Sequence, residues 1–308
     1  MSRGCNLVDM LSNGDTAWML VSTALVLVMM PGLALFYGGL VRSKNVLSTF
    51  MHSFVVLGLV TLQWVALGYS LAFGPDHGGV IGGLEHAFMN GVTLAPRQGD
   101  SIPHMLFFAY QMMFAIITPA LLSGAYAERL KFSAYALFTL LWATLVYDPL
   151  AHWVWGNGGW LGKLGVLDFA GGIVVHISSG VSALVVALVV GKRLGYPRER
   201  SIPHNLTMVL LGAGILWFGW FGFNGGSAGR ASGTAVLALV NSQLAAAAGG
   251  VAWLAVDLVR HGKASALGFA SGLVAGLATV TPAAGVTVAS PATNPDAKPS
   301  DPPLWKPA

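Results

Sequence analysis

The stretch Asp168–Gly180, DFAGGIVVHISSG, opens an apolar run that continues without a charged residue to Gly191. About 20 apolar residues cross the hydrocarbon core of a bilayer, so this run predicts a transmembrane helix. His176 lies inside the run, eight residues after Asp168. A polar ring at that depth is costly unless it has a partner or lines a path. His176 is therefore the first candidate functional residue, and the alternative is an imidazole satisfied by a neighbouring backbone carbonyl.

The composition is that of a membrane protein with several spans. Of the 308 residues, 55% are hydrophobic and only 9% are charged, whereas a soluble domain carries about 25% charged residues. The net charge of +4 would suit nucleic acid or acidic lipid, but the basic residues fall in short clusters between apolar runs. Membrane topology explains these clusters, so we expect a lipid bilayer and no nucleic acid as partner. Cys5 is the single cysteine, which leaves no cysteine-based metal site, and we expect no cofactor.

Uncharged runs long enough to cross a bilayer predict an all-α fold with eight transmembrane helices. Their bounds are about 16–41, 45–74, 104–127, 132–147, 169–191, 201–229, 231–256 and 264–289. Ten of the 16 basic residues lie in the loops after the odd-numbered helices, and the other six lie on the opposite side. By the positive-inside rule the N-terminus is outside, which predicts a multi-pass protein of the inner, or cell, membrane. We assign residues 1–290 to this domain and residues 291–308, with six prolines, to a disordered tail.

Two short motifs recur along the chain. FYGGLVR at Phe36–Arg42 ends the first helix, and FNGGSAGR at Phe223–Arg230 ends the sixth. Thr-Pro-Ala occurs at 118–120 in the third helix and at 281–283 in the eighth. Both pairs are offset by five helices, and an odd offset inverts the second unit relative to the first. This layout is typical of inverted-repeat transporters, which bind substrate near the midplane between the repeats.

Each further candidate residue has a structural alternative. Asp168 precedes Phe-Ala-Gly-Gly, and we favour an N-cap of the fifth helix over direct substrate binding. Trp155 follows the predicted fourth helix on the outer side, where it is either an interfacial belt residue or one wall of a cation site. Phe114 and Phe223, taken alone, are ordinary apolar packing residues.

One motif suggests an enzyme. Gly225–Gly229, GGSAG, matches the G-x-S-x-G nucleophile elbow, and together with His176 it would fit an intramembrane serine hydrolase. The elbow requires a strand that runs into a helix, whereas this sequence follows a membrane span in a glycine-rich loop. We therefore expect no enzymatic activity.

The sequence resembles the ammonium transporter family (Amt/Mep/Rh), and more closely its bacterial ammonium channel branch. The resemblance is carried by six segments in the family order and covers nearly everything from the first helix to about Gly285. The segments are PGLALFYGGLVRSKNVLS at 31–48, SGAYAERLKFSA at 123–134, AHWVWGNGG at 151–159, DFAGGIVVHISSG at 168–180, GWFGFNGGSAG at 219–229 and GLVAGLATVTPAAG at 272–285. The family implies eleven helices with inverted pseudo-symmetry, assembled as a homotrimer with one pore in each subunit.

The resemblance also implies where the substrate binds. Ammonium would be recruited at an outer site formed by Tyr110, Phe114, Trp155 and Ser227. Aromatic faces attract ammonium-like cations by about 0.5 to 2 kcal/mol. The serine hydroxyl would accept a hydrogen bond from the ion.

Below that site, the resemblance implies a pore for neutral ammonia. Phe114 and Phe223 would be stacked gate rings, His176 one of two pore histidines, and Asp168 a structural carboxylate near the site. An intact cation crossing a narrow apolar pore costs many kcal/mol, so deprotonation would let ammonia cross beside the imidazoles. Potassium has no proton to lose and would be excluded.

The resemblance stops after Gly285. We therefore expect a chain truncated after its eighth helix, without helices nine to eleven, without the second pore histidine and without the cytoplasmic tail that contacts PII-type regulators. Three functions are compatible with this expectation: an ammonium transporter, conducting with or without a partner chain; a truncated inactive or regulatory subunit; and the membrane hydrolase argued against above.

Overall fold

The computed structural model describes residues 11–199 and 202–286. This part of the chain contains eight helices long and apolar enough to cross a membrane, which confirms the predicted all-α membrane fold. In chain order the spans are Asn13–Leu40, Ser43–Phe73, His104–Tyr126, Phe132–Lys163, Gly172–Val190, Leu206–Gly226, Gly233–His261 and Ala266–Ala283. The predicted tail at 291–308 lies outside the described residues.

A small hairpin lies in the loop between the second and third spans. Its strands are β1 (Asp76–His77) and β2 (Ile81–Gly82), paired antiparallel. His152 of the fourth span is fully buried, and its Nε2 lies 3.0 Å from Oδ1 of Asp76 in β1. This contact holds the loop against the outer end of the fourth span.

The predicted end of the fourth helix at residue 147 is wrong. The chain stays helical from Asp148 to Trp155, although Pro149 has no N–H to donate. A π-helical turn at Ala143–Tyr147 comes first, and the N–H of Asp148 bonds to the carbonyl of Ala143. Because this turn has already shifted the hydrogen-bond pattern, the proline continues the helix instead of ending it.

Backbone contact joins the first and sixth spans, the two helices that carry the repeated FYGG and FNGG motifs. A Cβ atom on Gly212 would lie 2.4 Å from the backbone nitrogen of Phe36, and one on Gly39 would lie 2.6 Å from the carbonyl oxygen of Asn205. Small residues allow membrane helices to approach this closely. The two spans are therefore in direct backbone contact at glycines.

The second repeated motif forms the same local bond twice. Thr118 Oγ1 donates to the carbonyl of Phe114 at 2.6 Å, and Thr281 Oγ1 donates to that of Leu277 at 2.8 Å. Each threonine precedes a proline, and each bond reaches back four residues. The two Thr-Pro-Ala motifs therefore share one local hydrogen bond, although the first lies within an α-helix and the second in a 3-10 turn.

Candidate functional site

Four side chains predicted at the outer site lie together in the structure. Tyr110 and Phe114, one turn apart on the third span, have ring centroids 5.0 Å apart. Phe114 also meets Trp155 edge to face at 6.0 Å. The hydroxyl oxygens of Tyr110 and Ser227 lie 3.3 Å apart. Three separate spans thus bring three aromatic rings and a serine hydroxyl to one place.

Both hydroxyl groups at this site use their hydrogens on the backbone. Tyr110 donates to the carbonyl oxygens of Gly222 and Phe223, each at 2.9 Å. Ser227 Oγ donates to the Phe223 carbonyl at 2.8 Å. The lone pairs of the serine oxygen then remain as hydrogen-bond acceptors, which suits a ligand made only of N–H donors.

Trp155 lies inside the fourth span, not after it as the predicted helix end at residue 147 would place it. It is the last residue of the helical segment Asp148–Trp155 and is only 2% exposed, so it does not lie after the helix in an interfacial belt. Its Nε1 donates to the backbone carbonyl of Asp168 at 2.9 Å. This bond fixes the indole ring beside Phe114 and links the fourth span to the start of the fifth.

Phe114 and Phe223 pack against each other next to the outer site of Tyr110, Trp155 and Ser227. Their ring centroids are 4.3 Å apart with an angle of 32° between the planes, and both side chains are about 1% exposed. Phe114 comes from the third span and Phe223 from the sixth. The two rings therefore contact each other directly across these two spans.

A narrow cavity of about 40 Å³ lies next to the phenylalanine pair. A single water needs about 10 to 15 Å³, so the space suits no more than a few very small molecules. Apolar side chains and one imidazole form nearly all of its wall. The lining residues are Met29, Leu33, Phe36, Tyr37, Ile117, Leu121, Val175, His176, Leu216, Trp220, Phe223 and Val274.

His176 contributes the imidazole. Its ring stacks against Trp220 at 5.4 Å and Phe223 at 5.9 Å, nearly parallel to both. Nε2 is buried and has no hydrogen-bond partner among the described residues, while the residue as a whole is half-buried. The residue lies in a π-helical turn, Gly172–Ile177, a distortion that is frequent at functional sites. The imidazole is thus held by aromatic packing, with one ring nitrogen left for a ligand.

Asp168 lies behind the site and does not reach into the cavity. Its carboxylate accepts hydrogen bonds from the backbone N–H groups of residues 171–174, at 2.5 to 3.0 Å. Burial raises the pKa of Asp168, and those N–H groups act in the opposite direction. The N–H of Phe169 donates to the carbonyl of Pro282 at 2.8 Å. Asp168 therefore caps the fifth span at a point where the eighth span is also attached.

Sequence reasoning missed Trp220 and Tyr37. Trp220 lies one turn before Phe223, and its Nε1 donates to Thr281 Oγ1 at 3.0 Å. Tyr37 lines the cavity and donates its hydroxyl hydrogen to the carbonyl of Leu121 at 2.8 Å. Both belong to segments that carried the family resemblance, and the i, i+3 spacing of Trp220 and Phe223 was the available signal.

The geometry at Ser227 does not resemble a nucleophile elbow. The segment that leads directly into this serine is the helix of the sixth span and not a strand. Its hydroxyl hydrogen is used on the Phe223 carbonyl. Within residues 11–199 and 202–286, no three His, Cys, Asp or Glu residues group in a way that could hold a metal ion.

Five of the eight described spans line a narrow, aromatic cavity, an architecture typical of a polytopic membrane transport protein. The sequence model of the Ammonium Transporter Family matches residues 17–293. The chain is 55% identical over 273 residues to the ammonium transporter of Bacillus subtilis, a match that covers 88% of this chain and 67% of the relative. It is 51% identical over 293 residues to that of Mycobacterium tuberculosis, covering 87% and 61% respectively. The chain belongs to the ammonium transporter family, whose members are not enzymes.

Solved structures agree with this assignment. The crystal structure of Candida albicans Mep2 superposes with a TM-score of 0.85 at 39% identity, over 91% of this chain and 62% of that one. A structure titled "Sensor Amt Protein" superposes with a TM-score of 0.84 at 33% identity, over 89% and 69% of the two chains. The chain thus spans between 61% and 69% of the length of these four relatives.

Proposed function

We propose that this chain takes up ammonium at the outer aromatic site and conducts it inward as ammonia. The observation that carries the proposal is the order of groups along one path. Tyr110, Trp155 and Ser227 come first, the Phe114–Phe223 pair follows, and the cavity with His176 lies beyond.

The physics of each step supports this order. An ammonium ion between aromatic faces gains about 0.5 to 2 kcal/mol, and more as water is removed. The same ion in the cavity would lose its hydration without any carboxylate in the lining to replace it. Neutral ammonia avoids that cost, since Nε2 of His176 can donate to its lone pair in one tautomer or accept from one of its N–H groups in the other. Selectivity against potassium follows, because potassium cannot become neutral.

Uptake of labelled methylammonium by cells that lack their own ammonium transporters tests the proposal. We expect uptake above the empty-vector level, and growth rescue on low ammonium. The variant Phe223→Ala opens the gate and Ser227→Ala removes the acceptor hydroxyl, so we expect each to change uptake, while Gly214→Ala, with nothing within 4 Å of its added Cβ, serves as control. A chain that inserts in the membrane yet gives neither uptake nor rescue would overturn the transporter function.

A second candidate function is a regulatory or partner-dependent subunit. It is favoured by His176, a half-buried residue whose Nε2 has no partner in the described part of the chain, and by the likeness to the structure titled as a sensor. Under this alternative, methylammonium uptake would appear or change only when a full-length family member is co-expressed.

We also propose that the chain forms a homotrimer and contacts a PII-type regulator. Measuring the mass of the purified protein in detergent tests the homotrimer.

A further inference from the structure

Asp148 is a carboxylate buried inside the fourth span. It is 0% exposed and is not among the residues that line the cavity with His176. An ionisable side chain within a membrane span is rare and usually functional. The transport path described above makes no use of it.

Asp148 has a specific neutral partner on the second span. Gln63 Nε2 donates to Asp148 Oδ2 at 2.6 Å and to Thr144 Oγ1 at 3.1 Å. Thr144 has already given its hydroxyl hydrogen to the carbonyl of Leu140, so it can only accept here. The amide nitrogen must therefore face this side. Gly68 makes room for the amide, because a Cβ there would lie 2.7 Å from Gln63 Oε1.

One hydrogen bond is too little compensation for a buried negative charge. In residues 11–199 and 202–286, no lysine, arginine or histidine forms an ion pair with Asp148. Its Oδ1 is buried without a hydrogen-bond partner, and so is Gln63 Oε1. A carboxylate in such surroundings lowers its free energy by binding a proton.

The backbone beside Asp148 supplies a further unused acceptor. In a regular helix, the carbonyl of Thr144 would receive the N–H of Asp148, but the π-helical turn directs that N–H to Ala143. The next residue, Pro149, has no N–H to offer in its place. A proton on Asp148 Oδ1 would convert an unpartnered acceptor into a donor, on a side chain that already contacts Gln63, whose Oε1 is also without a partner among the described residues.

We propose that Asp148 is a proton-binding site, holding one proton at neutral pH as a carboxylic acid that joins the second and fourth spans. Oδ2 accepts from Gln63, and the proton on Oδ1 is donated to Gln63 Oε1 or to the Thr144 carbonyl. Tyr147, the preceding residue on the same span, interacts electrostatically with both Asp148 and Asp168. Two π-helical turns, Trp64–Gly68 and Ala143–Tyr147, flank the Gln63–Asp148 contact.

Infrared spectroscopy of the purified chain in lipid tests the proposal at neutral pH. We expect the C=O stretching band of a protonated carboxylic acid, shifted by ¹³C-labelled aspartate and lost in Asp148→Asn. The control is Asp257→Asn on the seventh span, because Asp257 accepts two hydrogen bonds from Ser265 and lies 3.6 Å from His261. This control should keep the band. No aspartic acid band at neutral pH, or one that survives Asp148→Asn, would overturn the proposal.

Thermal unfolding gives a second readout. If Asp148 is protonated when folded and ionised when unfolded, folding binds a proton, so stability must fall as pH rises through its titration. We expect the wild-type unfolding midpoint to drop with rising pH and that of Asp148→Asn to stay flat by comparison. Equal pH dependence in the two proteins contradicts the proposal. Should Asp148→Asn fail to fold, the pH titration of the labelled wild-type band decides the question.

Discussion

At the scale of single residues, the site depends on side chains that orient other groups as much as on those that face the path. Trp155 is positioned through its bond to the backbone of Asp168. Asp168 in turn fixes the four N–H groups that start the fifth span. His176 lies about one turn after the first residue of this span, Gly172, so its ring position depends on a carboxylate it does not touch.

Replacing Asp168 by alanine should destabilise the protein strongly. The change leaves four backbone N–H groups without their acceptor, and one unpartnered buried group costs about 1 to 3 kcal/mol. Asp168→Asn keeps one acceptor oxygen and should cost less. We expect unfolding midpoints in detergent in the order wild type, Asp168→Asn, Asp168→Ala. An alanine variant as stable as wild type would show that the capping bonds contribute nothing.

At the scale of elements, close helix contacts decide where the gate and cavity residues lie. The first and sixth spans touch through glycines, and the sixth span carries Trp220 and Phe223. The first span contributes Phe36 and Tyr37 to the same cavity. A shift of one span against the other would therefore change the cavity itself.

A methyl group at Gly212 tests this contact. The new Cβ would meet backbone atoms of the first span at 2.4 and 2.6 Å, which no side-chain movement can relieve. Overpacking of this kind typically costs about 1 to 3 kcal/mol. We expect Gly212→Ala to lower the unfolding midpoint and methylammonium uptake together. Gly214→Ala, two residues along the same span, has open space at its Cβ and should change neither.

At the scale of the whole molecule, loops on the side opposite the aromatic site tie several spans together. Glu128, after the third span, accepts hydrogen bonds at Oε1 from the backbone N–H and Nε of Arg42 and from Asn45 Nδ2. Arg42 lies between the first and second spans, and Asn45 lies at the start of the second. One buried carboxylate therefore links three of the eight helices.

This link should weaken in acid. Burial by itself raises the pKa of Glu128, but the hydrogen bonds from Asn45 and Arg42 outweigh burial and lower it. A lowered folded-state pKa gives stability that is complete above the unfolded value of about 4.3 and is lost as pH falls through the folded value. We expect the gap in unfolding midpoint between wild type and Glu128→Gln to be present near neutral pH and to close in acid. A gap independent of pH would contradict this.

Much of the fold was predictable because membrane spans are local features. Uncharged runs fixed the number of helices, and most of their ends, to within a few residues. The fourth span was the exception, since Asp148-Pro149 normally marks the end of a helix and a π-helical turn is not visible in the composition. His176 was identifiable from its cost in lipid alone.

The sequence by itself determined that this is a membrane protein of eight spans and which family it belongs to, because length, hydropathy and motifs are written along the chain. Only the tertiary structure decided which side chains meet. Phe114 contacts Phe223, and His176 stacks on Trp220, across spans far apart in sequence. Those contacts depend on glycine-mediated packing and on π-helical turns that rotate one face of a helix against another. No local pattern encodes them, so the gate, the cavity and the Gln63–Asp148 pair are properties of the folded molecule.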